Sequence, residues 1–172
     1  MTMRFQNGRR LGLLFLAAYC GLAITQTAQG AVIGISATSF VPRDAETTPG
    51  DEVQGLLLNA QGRYFAPVVF PESGDQVCSF SLIYRDLDAE GNVVARLKRK
   101  PVNLQVSAFT PPILMAQAAS TGAEDPIRRS TDTTIADRVT KPAASFYFVE
   151  LDIASSTIEV LGVQVVFKPN CP

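Results

Sequence analysis

Residues 77–100 read VCSFSLIYRDLDAEGNVVARLKRK, and their period decides the fold class. Cys78, Phe80, Leu82 and Tyr84 alternate with Ser79, Ser81 and Arg85. Val93, Ala95 and Leu97 then alternate with Arg96, Lys98 and Lys100. Successive strand side chains point to opposite faces, so each run is a strand with one apolar face and one wet face. The polar stretch between them, with Gly91 where positive φ is needed, predicts a tight turn that pairs the two runs as an antiparallel hairpin.

Working outward, the C-terminal third repeats the pattern. Tyr147, Val149, Leu151 and Ile153 alternate with Glu150 and Asp152. Residues 154–157 turn the chain, and Leu161, Val163, Val165 and Phe167 share a face on the way back. The phase slips after Val160, which predicts a bulge near Gly162. Toward the N-terminus, residues 31–41 (AVIGISATSFV) read as one strand near a sheet edge, stopped by Pro42. Residues 43–52 are a charged turn, and residues 64–70 (YFAPVVF) are a strand whose Pro67 demands an edge or a bulge. After Pro101, residues 102–108 alternate again, while the short apolar run 113–119 fits a strand or a helical turn. Residues 120–131 have the composition of a mobile surface loop, and 133–139 suggest one more short strand. Many short strands with Gly and Pro turns predict an all-β fold: a two-sheet antiparallel β-sandwich, jelly-roll-like, forming a single domain over residues 31–172.

The first 30 residues read as an address. Arg4, Arg9 and Arg10 form a positive start, an apolar run follows over 11–24, and Ala28-Gln29-Gly30 offers small residues for cleavage before Ala31. The apolar run is too short to span a bilayer, which takes about 20 residues. Gly12 and Tyr19 argue against twin-arginine and lipoprotein variants, so the expectation is ordinary export to the periplasm or cell exterior. Removing three of the 15 basic residues and none of the 16 acidic ones leaves a net charge of −4. Nucleic acid is therefore not an expected partner, and since no other run is long or apolar enough to cross a bilayer, membrane insertion after cleavage is not expected either. Cys78 and Cys171 remain, and two cysteines in an exported chain predict a disulfide pinning the tail to the middle of the chain.

Several segments are similar to an uncharacterised type of secreted bacterial β-sandwich domain. They are Phe40-Val41-Pro42-Arg43-Asp44, Phe65-Ala66-Pro67-Val68 through Pro71, Tyr84-Arg85-Asp86, Ala95-Arg96-Leu97-Lys98-Arg99, Phe146-Tyr147-Phe148 and Leu161-Gly162-Val163-Gln164-Val165. The resemblance implies the sandwich fold and export. It implies no activity.

Chemistry is sparse. The chain has no histidine, which removes Ser-His-Asp and Cys-His nucleophile activation and any histidine-containing metal site. Asp86, Asp88 and Glu90 resemble the start of a calcium loop, but the position for a closing bidentate glutamate is Leu97, so a solvated turn is expected and no cofactor. Arg85, Arg96, Lys98, Arg99 and Lys100 form a candidate basic face, alone or with Phe146 and Phe148, which fall out of phase with the core residues of their strand. Glu150 and Asp152 share a strand face and would be the pair for a carboxylate hydrolase. The absence of tryptophan weakens a polysaccharide-binding module, which remains the first alternative. The apolar strand 31–41 could also be donated to a neighbouring copy, or complete its own sheet. The expectation is a non-catalytic interaction or structural protein whose partner is another envelope or extracellular protein, with self-association as a further option.

Overall fold

The computed structural model describes residues 30–43, 57–71, 73–102 and 110–172. All of the predicted leader but Gly30, most of the 43–52 turn and the alternating run after Val102 lie outside the described residues. Nine strands follow in order: β1 Ala31–Ser36, β2 Val41–Pro42, β3 Gly62–Val68, β4 Gln76–Asp86, β5 Val93–Pro101, β6 Ile113–Ala119, β7 Glu124–Asp132, β8 Ser145–Ile153 and β9 Ile158–Lys168. Among the described residues they form a four-stranded sheet, β1-β9-β4-β7, and a five-stranded sheet, β2-β3-β8-β5-β6. Every pairing is antiparallel. The two-sheet antiparallel sandwich expected from the sequence is the fold. No described helix is long and apolar enough to cross a membrane.

The strand assignments of the 77–100 stretch are correct, but the hairpin is not. β4 lies in one sheet and β5 in the other. The same holds for the C-terminal pair, where β8 joins the five-stranded sheet and β9 the four-stranded one. Each supposed hairpin is an arch between layers. The two arches lie against each other: the Leu87 N–H donates to the Thr157 carbonyl at 3.3 Å, and the Ala154 N–H to the Asn92 carbonyl at 3.2 Å. Consequently β4 pairs with β9 in one layer while β5 pairs with β8 in the other. Facing sheets stand only about 10 Å apart, so a short polar connection reaches across as readily as it turns back.

Apart from Cys78 and Leu161, the residues of these alternating runs predicted to point inward do so. Phe80, Leu82, Val163 and Val165 from one layer meet Val93, Leu97, Val149 and Leu151 from the other, all essentially inaccessible. Burying an aliphatic or aromatic side chain of this size contributes about 2 kcal/mol, so this seam is the main stabilising feature. At one end an aromatic stack crosses the layers. Phe70 packs edge-on against Tyr147 at 4.9 Å and against Phe167 at 5.5 Å. The Tyr147 hydroxyl escapes burial without a partner by accepting the Lys141 N–H at 2.6 Å.

Several local expectations need correction. Residues 31–41 are not one strand: a single 3-10 turn, Ala37–Ser39, carries the chain from β1 at the edge of one sheet to β2 at the edge of the other. The Ser36 side chain caps that turn by accepting the Thr38 N–H. Residues 120–131 are not a mobile loop through their length, because 124–132 form β7 against β4. As an outermost strand with mostly exposed residues, β7 has no apolar face to bury, so its sequence carries no strand period. Residues 133–139 contain no strand beyond an isolated bridge from Val139 to Gln76. The ambiguous run 113–119 is β6. Its register with β5 shifts between Leu97 and Lys98, which places both Met115 and Ala116 in the core and blurs the period of two.

The predicted bulge is present one residue from Gly162. Ile83 pairs with Gly162 and Tyr84 with Val160, so Leu161 is the extra residue and leaves the core face on which it was expected. A second register shift in β4 brackets Cys78, which takes it out of phase with Phe80 and turns it toward the tail. There it forms the disulfide with Cys171.

Candidate interaction face

The outer surface of the five-stranded sheet gathers most of the residues singled out above. Residues that alternate with the core positions of β3, β8 and β5 must face away from the other layer. Cross-strand pairing then sets them in rows. Arg63 lies opposite Asp152, and Asp152 opposite Val94. Phe65 lies opposite Glu150, and Glu150 opposite Arg96. Pro67 lies opposite Phe148, and Phe148 opposite Lys98, while Phe146 lies opposite Lys100.

Half of this face is a charge ladder. Glu150 sits between two cations, 2.8 Å from the Lys98 ammonium and 3.5 Å from the Arg96 guanidinium. Arg96 also reaches Asp152 at 3.8 Å, and Arg63 reaches the same carboxylate at 3.7 Å. Partial burial pushes the Glu150 carboxyl up, but Lys98, through its hydrogen bond and charge, with Arg96 and Arg63 behind it, holds it below the usual glutamate range. A carboxylate so held stays ionised at neutral pH and is poorly suited to act as a general acid.

The other half is apolar. Val41, paired with Phe65, starts a strip that continues through Phe148 and Pro67 to Phe146 and Val69. The Phe65 and Phe148 rings stand 5.8 Å apart at 64°, edge to face rather than coplanar. Phe146 is 69% exposed. It forms one wall of a shallow pocket of about 190 Å³ shared with Pro67, Val69, Phe70 and Pro142.

Other candidates go elsewhere. Arg85 is on β4, in the opposite layer, where it pairs with Asp125 at 2.5 Å and with Glu159 at 3.4 Å. Arg99 follows the inward phase of Val93, Ala95 and Leu97 and is buried, ion-paired with Asp137. The expected five-residue basic face therefore reduces to Arg96, Lys98 and Lys100. Asp86, Asp88 and Glu90 do not converge. Asp86 is buried and accepts the Asp88 N–H at 2.9 Å, while Asp88 accepts the N–H groups of Glu90 and Gly91 at 2.8 and 2.9 Å. Those backbone bonds, with a hydrogen bond from Ser155, hold Asp88 below the usual aspartate range. Their oxygens shape the arch, and no group of three acidic or cysteine side chains among the described residues is arranged to hold a metal ion. Strand β1 pairs with β9 of its own chain.

Phe65, Arg63 and Val41 belong to the face and were missed. The signal was present: Phe65 is out of phase with Tyr64, Ala66 and Val68, as Phe146 and Phe148 are with Tyr147 and Val149.

No family model and no curated protein matches the chain. Among solved structures, the chain is similar to the CBM36-1 domain of a multidomain xylanase from the hindgut metagenome of Trinervitermes trinervoides, with a TM-score of 0.46 and 10% identity over 79% of this chain and 96% of that one. It is also similar to Eiger TNF from S. frugiperda, with a TM-score of 0.38 and 11% identity over 84% of this chain and 91% of that one. At these values neither likeness assigns a ligand or an activity to the chain.

Proposed function

We propose that the protein is an exported, non-catalytic contact module that holds another envelope or extracellular protein against the outer face of its five-stranded sheet. The observation that carries this reading is the apolar strip from Val41 through Phe65, Phe148 and Pro67 to Phe146, lying beside charges already satisfied within the sheet. An apolar centre with an ion-paired flank is the composition of a protein contact surface. Glu150, the better placed of the two carboxylates suggested for hydrolysis, is committed to Lys98 and Arg96, which favours binding over chemistry.

Polysaccharide binding is the second reading, and the exposed Phe146 ring is what favours it. The edge-to-face arrangement of Phe65 and Phe148 weighs against it, because sugar stacking calls for ring faces that lie flat together. A photo-cross-linking residue at Phe146, with one at the exposed Asn170 as control, tests the proposal in living cells. A discrete protein adduct from position 146 alone, lost when Phe65→Ala is added, is the expected result. Absence of protein adducts together with binding on a glycan array would give the face to polysaccharide instead.

A further inference from the structure

A sandwich has four sheet edges, and among the described residues three of them are closed or blunted. On the five-stranded sheet, β2 is two residues long and contains Pro42. Beyond it, Pro67 removes a donor from the uncovered part of β3. The opposite edge, β6, is covered by the segment after β7. The Ala136 N–H donates to the Met115 carbonyl at 2.8 Å, and the Asp132 carboxylate accepts the Gln117 N–H at 2.9 Å. On the four-stranded sheet, β7 carries Asp125, Pro126, Arg128 and Arg129, the charges and proline with which sheets discourage edge pairing.

The fourth edge is different. β1 reads AVIGIS, six residues with no charge and no proline, and its Val32 is 57% exposed. It hydrogen-bonds β9 on one side only. In an antiparallel pair about half of a strand's N–H and C=O groups point away from its partner. Among the described residues no strand or loop hydrogen-bonds to that side of β1. A flat, apolar, uncharged edge of this length is a template for another strand.

We propose that β1 is a self-association edge, on which a second copy of this chain pairs β1 to β1 antiparallel and joins two four-stranded sheets into one. Three features favour a second copy over a foreign strand. A twofold contact asks for one self-complementary surface: no side chain from Ala31 to Ser39 is charged, and antiparallel pairing sets the two α-amino groups that cleavage before Ala31 would leave at opposite ends of the contact. With the twofold axis at Ile33, Val32 lies opposite Gly34 of the other copy and within diagonal reach of that copy's Val32 on the same outer surface, which adds apolar contact where Val32 is now exposed. Finally, one twofold pairing uses up both free edges at once and ends growth, whereas an unclosed apolar edge invites open-ended aggregation.

The test is analytical ultracentrifugation of the secreted protein over a wide concentration range, with hydrogen exchange at both ends of it. The expected result is a monomer–dimer equilibrium, with β1 amides better protected in the dimer. Gly34→Lys places a charge on this edge where a side chain meets nothing within 4 Å, so the fold is retained. It should weaken dimerisation by about tenfold or more while leaving the melting temperature of the dilute, monomeric protein unchanged. Val69→Lys, on the remote five-stranded sheet, should leave the dimer intact. A wild-type chain that stays monomeric throughout, exchange in β1 that ignores concentration, or a dimer that Gly34→Lys does not weaken would each overturn the proposal.

Discussion

A Cβ placed on Gly162 would lie 2.3 Å from the carbonyl oxygen of Ile35, in the strand next door. Gly162 also has φ of +153°, a conformation that side-chain-bearing residues rarely adopt. Both constraints come from the bulge at Leu161, which bends β9 just where β1 ends against it. Gly162→Ala therefore has to push β1 away or unbend the bulge. The expected loss is about 3 kcal/mol, read as a lower urea midpoint with an unchanged slope.

The Cys78–Cys171 disulfide closes a loop with a sequence separation of 93. In the chain-entropy picture such a bond stabilises by about 4 to 5 kcal/mol. Reduction, or the double change Cys78→Ser with Cys171→Ser, should lower stability by that order. It should also release residues 169–172 first, because the Cys171 N–H contact to the Gln76 side chain, at 3.5 Å, is too long to hold the tail alone. Equal chemical denaturation curves for reduced and oxidised protein would contradict this.

Glu150 links stability to pH. Its carboxyl is held below its ordinary value in the folded chain, so its contribution is complete at neutral pH and is lost as pH falls through the folded value. Glu150→Gln should cost about 1 kcal/mol near neutrality. The gap between wild-type and variant melting temperatures should then close on acidification. A gap that widens in acid would reverse the assignment.

Arg99 and Asp137 form an ion pair at the inner margin of the sandwich, and Arg99 is only 8% exposed. Its Nε finds no partner among the described residues, so Asp137 is its main compensation. Asp137→Asn, which keeps a residue type that tolerates the positive φ of 48° here, leaves a guanidinium without its counter-charge in a largely dry site, with an expected loss of about 2 kcal/mol after allowing for the partial exposure of Asp137. Replacing Arg99 with Met in that background should recover part of it. Failure of the second change to recover stability would show that the pair matters through packing rather than charge.

How much of this was legible depends on what each signal reports. Alternation in 77–100, 145–153 and 158–167 reports that one face of each strand is buried, and those faces are the core. Phe146 and Phe148 were visible as surface candidates for the same reason. β7 was not, because an outermost strand with little to bury has no alternation to display. Arg99 was misplaced by its company: set among Arg96, Lys98 and Lys100 it reads as part of a basic face, although its own phase points inward.

The sequence alone determined most of the strands and most of their inward faces, the break near Gly162 and the pairing of the two cysteines. Each follows from a local property: side-chain period, backbone freedom, or the count of thiols. Only the tertiary structure decided which strand lies beside which, and so which residues share a surface. Burial of the β4 and β5 faces is satisfied equally by a hairpin and by an arch, since both connections are short and polar. What separates them is the collective pairing of β4 with β9 and of β5 with β8, formed between residues far apart in the chain. That long-range pairing carries Arg85 to one side of the molecule and sets Arg96, Lys98, Phe65, Phe146 and Phe148 together on the other.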